Sequence, residues 1–276
     1  MEHHISGLTQ FVNHYLGAFA LALLQILHIH PTDPKTPISE ATVMSVLVLL
    51  ICTLLALFLR PRLSVEKPGA TQQIAEILIT NEMGFGIRDL LDENIGHGAD
   101  RYVPFVGSIG IFILFANLLA LFPAWSAPTS VVTVPLGCAV LVFIYFNAHG
   151  VRHHGIVGYL GTFAGSPKHF GDWILAILLF PVEIISTCAR ILSLTVRLWA
   201  NMFASDLIYG IFVTLLAGGF TFGWAKSPAL GAILAIFPAI IPVAFIGLHI
   251  FVSVVQAYVF TVLPAVYIGL ATSEEH

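Results

Sequence analysis

Two arginines stand inside a long apolar stretch of this 276-residue chain and call for a chemical explanation. Arg190 and Arg197 lie in the block from Trp173 to Ala217, whereas the remaining Lys and Arg residues lie in polar segments or at the ends of apolar runs. A charge at membrane depth costs at least about 2.5–3.5 kcal/mol and faces protein or a water-filled cavity. If this block crosses a membrane, both arginines are functional candidates.

The polar side chains around the arginines share one face of the helix that this block predicts. At 100° per residue, Glu183, Arg190, Arg197 and Asn201 fall within about 40° of one another, and Ser193 flanks them. A polar stripe of this kind on an apolar helix lines a wet path or faces the polar site of another subunit.

Arg197 has no acidic neighbour on its own helix. Glu183 is 14 residues away, about 21 Å along the axis, and Asp206 is rotated to the opposite face. No acid stands three or four residues from Arg197, where helical ion pairs form, and the other apolar segments have no acid in their interiors. The sequence therefore predicts a counter-charge on a different subunit. A satisfied structural ion pair is the alternative.

A second, weaker stripe lies in the block from Ala229 to Leu270. His249, Ser253 and Gln256 fall on one helical face, about 60° wide. They are candidates for the same polar path. The alternative is that each is an interhelical hydrogen-bonding group, a common role of polar residues in membrane helices.

The composition is that of a membrane-embedded protein. The chain is 58% apolar and 9% charged, with a mean hydropathy of +0.93, whereas soluble domains carry about 25% charged residues. The net charge of −4 and the lack of an arginine-rich run exclude nucleic acid as a partner. The three cysteines are far apart in apolar segments, so they predict neither disulfides nor a metal site. No cofactor is predicted.

The apolar runs predict an all-α integral membrane protein with about five membrane-embedded helices, because about 20 apolar residues cross a bilayer. The last two blocks predict two long, strongly tilted helices: the 36 residues from Val182 to Ala217 would extend about 54 Å. A shorter apolar stretch from Gly17 to Leu27 predicts an interfacial helix. Residues 1–40 are thus predicted to form an outer-side segment and residues 41–276 the membrane domain. The five predicted crossings are Ala41 to Leu59, Val103 to Pro123, Val131 to Ala148 and the two blocks.

Basic residues predict the orientation. Five Lys and Arg residues lie between positions 60 and 102, whereas Lys35 alone precedes the first crossing. Since basic loops stay on the cytoplasmic side, we expect the N-terminus outside and the C-terminus inside. The segment 149–172 then forms a second inner loop.

The arginine block resembles a known family. The segment ILSLTVRLWANMFASDLI is similar to the signature SLxLRLFGNMxAGE of the a subunit of F-type ATP synthases. The C-terminal segment LHIFVSVVQAYVFTVLPAVYIGLATSEEH and the earlier PFVGSIGIFILFANLLALFP resemble the same family's last helix and second span. The chain departs from the pattern at Trp199 and Ala200, at Asp206 where Glu is commoner, and at Ala120 where some members have Asp.

The resemblance implies a role for each polar residue. Arg197 would be the essential arginine that faces the rotating c-ring, and is the candidate catalytic residue. Asp206 and His249 would serve an outer proton half-channel and Glu183 an inner one, with Gln256 beside Arg197. The implied partners are the c-ring proteolipid, b-type peripheral-stalk subunits and the rest of the synthase, in a bacterial inner membrane. The pathway set also includes Asn201, and the secondary candidates are Arg190, Ser193, Ser253 and Asn117.

Two other functions compete with this interpretation. His149, His153 and His154 form an HxxxHH pattern like the histidine boxes that bind iron in membrane desaturases. Such enzymes need several boxes, and a solvated inner loop is the favoured interpretation. A free-standing proton-coupled transporter would show inverted repeats, and the chain shows none.

Overall fold

Helices account for the regular structure of the chain. The computed structural model describes residues 6–26, 36–64, 68–70, 72–73, 76, 86–96, 98–122, 125–165 and 172–272. Within these ranges no residue is in a strand. The helices are α1 (Gly7–Ile26), α2 (Glu40–Leu59), α3 (Ile87–Ile95), α4 (Val103–Leu118), α5 (Thr133–Phe163), α6 (Asp172–Trp224) and α7 (Pro228–Thr272).

The predicted number of crossings is confirmed. Among the described residues, five helices are long and apolar enough to span a membrane: α2, α4, α5, α6 and α7. The apolar stretch predicted near the N-terminus belongs to a longer helix, α1, of 20 residues. Its interfacial placement and the boundary at residue 40 stay predictions.

The prediction of an inner loop at residues 149–172 is wrong for residues 149–163. Helix α5 continues to Phe163, with a break at Gly155, whose φ of 71° and ψ of 167° are non-helical. Such a positive φ is readily adopted by glycine, which lacks a Cβ. Beyond the break, the Tyr159 hydroxyl donates a 2.9 Å hydrogen bond to Asn147 Oδ1, and its ring packs against Gly150. The three histidines of the HxxxHH pattern therefore lie on a helix.

The last two helices are longer than predicted. Helix α6 has 53 residues and α7 has 45, which at about 1.5 Å per residue correspond to about 80 and 68 Å. Both exceed a hydrocarbon core about 30 Å thick. In a bilayer, such helices have to tilt strongly or run partly along its surface. Pro181 lies inside α6 and removes one backbone hydrogen bond from it.

Five long helices contribute residues to two compact units. The first unit comprises Met1–Thr53, Leu114–Val134 and Trp199–Val254. In it, Asn13 of α1 bonds the backbone of Ile38 through both side-chain atoms, and Ser126 donates to the Glu40 carboxylate. The bonds of Asn13 hold the segment before α2 against α1, and the bond of Ser126 holds the segment after α4 against the start of α2.

The second unit comprises Leu54–Ile113, Pro135–Leu198 and Val255–His276. Phe105 of α4 stacks on Tyr145 of α5 with ring centroids 3.5 Å apart, and Phe146 of α5 packs against Tyr267 of α7. Helices α4 and α7 meet where Gly110 faces Thr261, since a Cβ at Gly110 would strike the Thr261 γ-methyl. A glycine therefore sets the approach of these two helices.

Candidate functional site

In the first unit, His249 is the centre of a polar cluster. This side chain of α7 is buried, 8% exposed, and uses both ring nitrogens. Its Nδ1 lies 2.7 Å from Ser205 Oγ on α6, and its Nε2 lies 3.0 Å from the backbone oxygen of Asn117 on α4. Three helices that are distant in sequence thus meet at one imidazole.

Asn117 extends this cluster. It is fully buried, and its Oδ1 accepts a 2.6 Å hydrogen bond from the Thr129 hydroxyl. Its Nδ2 has no hydrogen-bond partner among the described residues. Buried amide nitrogens in native proteins are nearly always satisfied by protein or ordered water, so Asn117 Nδ2 is a donor that can take a further hydrogen-bond acceptor.

Asp206 lies in the same unit as the histidine. Its side chain is half-buried, is within hydrogen-bonding reach of the Ser130 side chain and interacts electrostatically with His249. The structure thus brings together three residues predicted from the sequence, Asn117, Asp206 and His249. We name the group formed by Asn117, Thr129, Ser130, Ser205, Asp206 and His249 the His249 cluster.

Sequence analysis missed three members of the His249 cluster. Thr129 and Ser130 lie in a 3₁₀ turn, Pro128–Ser130, which carries no helical periodicity. Ser205 lies eight residues after Arg197 on a helix rich in small polar side chains, and only packing against α7 shows that it contacts His249. Its position directly before Asp206 was the one available signal.

In the second unit, Arg190 is paired with Glu183. Arg190 Nη2 lies 3.4 Å from Glu183 Oε1, with side chains 28% and 41% exposed. The Arg190 guanidinium also lies over the Tyr267 ring of α7, 5.1 Å from its centroid. Both charged groups interact electrostatically with Tyr159 of α5. The helical face predicted from the sequence therefore carries an ion pair between Glu183 and Arg190, which has aromatic neighbours on α5 and α7.

Arg197 differs from Arg190 in having no carboxylate partner. Within the described part of its unit, no Asp or Glu lies within ion-pairing distance, and the single hydrogen bond runs from Nη2 to Ser193 Oγ over 3.4 Å. The residue is exposed on α6, as are Ser193 and Ala189 on the two preceding turns. A counter-charge on another subunit stays a prediction.

The remaining predicted residues fall in different environments. Gln256 is buried, and its Oε1 has no hydrogen-bond partner among the described residues. Among the described residues, Arg197 is hydrogen-bonded to Ser193 and not to Gln256, so the contact between Gln256 and Arg197 stays a prediction. Ser253 is buried and donates to the backbone oxygen of His249 on its own helix. Asn201 is exposed on α6.

The described histidines do not assemble an iron site. His149 packs its ring against Tyr102 and Tyr145, and His153 stacks edge-on with His154. No group of three or more His, Cys, Asp or Glu residues within the described ranges could hold a metal ion. The desaturase interpretation therefore has no support in this part of the chain.

Comparison with known proteins identifies the family. The sequence profile of the family described as ATP synthase A chain matches residues 42–269. The chain belongs to this family. Its relatives include the ATP synthase subunit a of Koribacter versatilis, 39% identical over 273 residues that cover 99% of both chains. That of Solibacter usitatus is 38% identical over 96% of this chain and 99% of its own.

A third relative, the ATP synthase subunit a 1 of Syntrophotalea carbinolica, is 35% identical over 83% of this chain. The resemblance found in the arginine block is thus confirmed over almost the full length. Membership of the ATP synthase A chain family assigns the chain to the Fo sector of a bacterial F-type ATP synthase. It is a membrane protein of ATP synthesis and proton transport.

Proposed function

We propose that this chain is the stator of the proton path, with two half-channels at its interface with the c-ring. The observation that carries the proposal is Arg197, an exposed guanidinium on an apolar helix, with no carboxylate within ion-pairing distance in the described part of its unit. A cation at membrane depth needs a partner or water. A carboxylate on each passing ring subunit meets that need once it has lost its proton.

Arg197 is suited to separate the half-channels because its charge is permanent. Guanidinium stays protonated in proteins, so it repels protons and does not relay them. A proton therefore crosses only by riding on the ring from one half-channel to the other. Each elementary charge that falls through 100 mV releases about 2.3 kcal/mol, which drives the rotation.

The surface around Arg197 favours close approach of a ring helix. Ser193 and Ala189 are small and exposed, and they lie one and two helical turns before the arginine, respectively. Small residues let membrane helices pack with their backbones close together. Only 11% of the most apolar stretch of α6 is buried within the chain itself, so most of the helix surface there is available to a partner.

The two half-channels correspond to the two polar groups. The His249 cluster would form the outer half-channel, since it combines a titratable imidazole, a carboxylate and a buried amide that is free for water. Glu183, paired with Arg190, would open the inner half-channel. With Ala120 in place of an acid, the imidazole and Asp206 are the groups that take up the proton. The basic residues between positions 60 and 102 favour an orientation with the N-terminus outside and the C-terminus in the cytoplasm.

The deciding experiment separates a barrier from a structural arginine. We expect Arg197→Ala to assemble normally on native electrophoresis and to abolish ATP-driven proton pumping in membrane vesicles. Arg197→Lys should also be severely impaired, because an ammonium has a different reach and donor geometry. Arg62→Ala is the matched control, since Arg62 lies at the end of a span and rests on the Phe58 ring. Normal pumping by Arg197→Ala would refute the barrier, and failed assembly would indicate a structural arginine.

The partners are tested by co-purification in mild detergent. We expect a small oligomeric proteolipid, the c-ring, and b-type peripheral-stalk subunits to accompany this chain. Recovery of the chain without any proteolipid would contradict the stator role.

A further inference from the structure

His249 has a different partner at each ring nitrogen, and this asymmetry has a chemical consequence. A backbone oxygen can only accept hydrogen bonds, so the Asn117 contact requires a proton on Nε2. In the neutral imidazole, Nδ1 then carries the lone pair, and the Ser205 hydroxyl donates to it across 2.7 Å. The neutral ring is thereby fixed as the Nε2–H tautomer.

The same contacts decide where a proton can be exchanged. Nε2 keeps its proton in both charge states, because Asn117 O accepts it in both. A proton that arrives from the channel therefore bonds to Nδ1. The imidazolium then donates Nδ1–H to Ser205 Oγ, and the serine hydroxyl turns to a carbonyl of its own helix, a common acceptor for helical serines. The proton leaves by breaking the same Nδ1–H bond.

We propose that Ser205 is a positioning residue that makes Nδ1 of His249 the nitrogen at which protons enter and leave the outer half-channel. The inference rests on the proposed function and deepens it. The signature SLxLRLFGNMxAGE quoted above ends in Gly-Glu, and this chain has Ser205 and Asp206 at these two positions.

Among the described residues of this unit, Asp206 of α6 is the charged group that interacts electrostatically with His249. Helix α4 presents the uncharged Asn117, which is bonded to Thr129, and α7 itself presents Ser253, which donates to the His249 carbonyl. None of these three side chains is bonded to Nδ1. Within the described residues of this unit, Ser205 is therefore the group that sets the hydrogen bonding of Nδ1.

The test is Ser205→Ala in the intact synthase in membrane vesicles. We expect normal assembly and an initial rate of ATP-driven proton pumping lower by about two- to tenfold, the range that corresponds to one lost hydrogen bond. Ser205→Thr keeps the hydroxyl and should restore the rate. Thr214→Ala is the matched control, because Thr214 lies on the same helix and its hydroxyl bonds only the Gly210 carbonyl.

A spectroscopic measurement distinguishes positioning from a merely structural role. In solid-state NMR of the complex with ¹⁵N-labelled histidine, assigned with His249→Gln, we expect one neutral tautomer with Nε2 protonated. In Ser205→Ala the unprotonated Nδ1 resonance should move downfield, as it does when a donor is withdrawn, while the Nε2 resonance stays. A wild-type ring protonated at Nδ1, or an Nδ1 resonance unchanged by Ser205→Ala, would overturn the proposal.

The failure of this inference is distinguishable from failure of the proposed function. If His249→Gln abolishes pumping while Ser205→Ala pumps at the wild-type rate, Ser205 has no positioning role and the half-channel assignment stands. If His249→Gln itself pumps normally, the histidine is not in the proton path. Both the positioning role of Ser205 and the assignment of the His249 cluster to the outer half-channel are then wrong.

Discussion

The contact between Gly110 and Thr261 offers a quantitative test of how α4 and α7 are held together. Gly110 is buried in the interior of α4, and an added Cβ would lie against the γ-methyl of Thr261, well inside the contact distance of about 3.5–4.0 Å between carbon atoms. Rotation of Thr261 would relieve the clash, but would break the 2.6 Å hydrogen bond from its hydroxyl to the Tyr258 carbonyl. We therefore expect Gly110→Ala to force the two helices apart.

The expected loss is the difference of two effects. Overpacking a filled site costs about 1–3 kcal/mol, whereas replacing a helical glycine by alanine gains about 0.5–1 kcal/mol. The net effect of Gly110→Ala is thus a destabilisation of up to about 2.5 kcal/mol. Gly137→Ala is the matched control, because Gly137 lies inside α5 with no atom within 4 Å of an added Cβ. It should be stabilising.

The decisive variant is the double mutant Gly110→Ala/Thr261→Ser. Serine removes the γ-methyl and keeps the hydroxyl, so Thr261→Ser alone should cost about 0.8 kcal/mol for one buried carbon and the double mutant should be more stable than Gly110→Ala. Thermal midpoints of the detergent-solubilised complex give the order of the variants, since unfolding of such assemblies is often irreversible. A double mutant no more stable than Gly110→Ala would refute the reasoning.

Three further predictions concern the polar residues. Gln256→Ala should retain more proton pumping than Arg197→Ala, because a neutral group positions while the cation supplies the field; equal losses in membrane vesicles would contradict this order. Asp206→Glu should keep substantial function while Asp206→Ala slows proton entry from the outer side, and an unaffected flux in the alanine variant would remove Asp206 from the path. Tyr267→Phe keeps the ring against Arg190 and should leave the thermal midpoint unchanged, whereas Tyr267→Leu should lower it by the equivalent of about 0.5–1 kcal/mol; equal midpoints would show that the ring contact is not stabilising.

Helix type and number could be predicted from the sequence because hydrophobic length alone limits them in a bilayer. The end of α5 could not. Residues 149–163 contain histidines, an arginine and glycines that resemble a loop, yet Gly155 lets the helix break and resume, and Tyr159 then bonds back to Asn147. That bond joins residues on the two sides of the break, so the local sequence pattern does not predict it.

The polar stripes at the candidate site also show what helical periodicity predicts and what it leaves to the packing of helices. The 3.6-residue period placed Glu183 and Arg190 on one face, and the structure shows that they are an ion pair. The same period did not predict a contact partner for Ser205. A helical pattern shows which residues share a face, but it does not show which residues that face contacts. The contact with His249 appears only when α6 and α7 are packed side by side.

The sequence by itself determined that this is a helical membrane protein of the ATP synthase A chain family, and that Arg197 has no acid three or four residues away on its own helix. The helical membrane character and the lack of a nearby acid follow from composition, apolar length and spacing along one helix, which are local, and the family follows from the resemblance of sequence segments. The tertiary structure decided that Asn117, Ser205 and His249 meet, and which nitrogen of the imidazole faces which partner. Contacts between helices depend on how three surfaces distant in sequence pack together, and hydrogen-bond direction depends on the atoms that this packing brings within 3 Å.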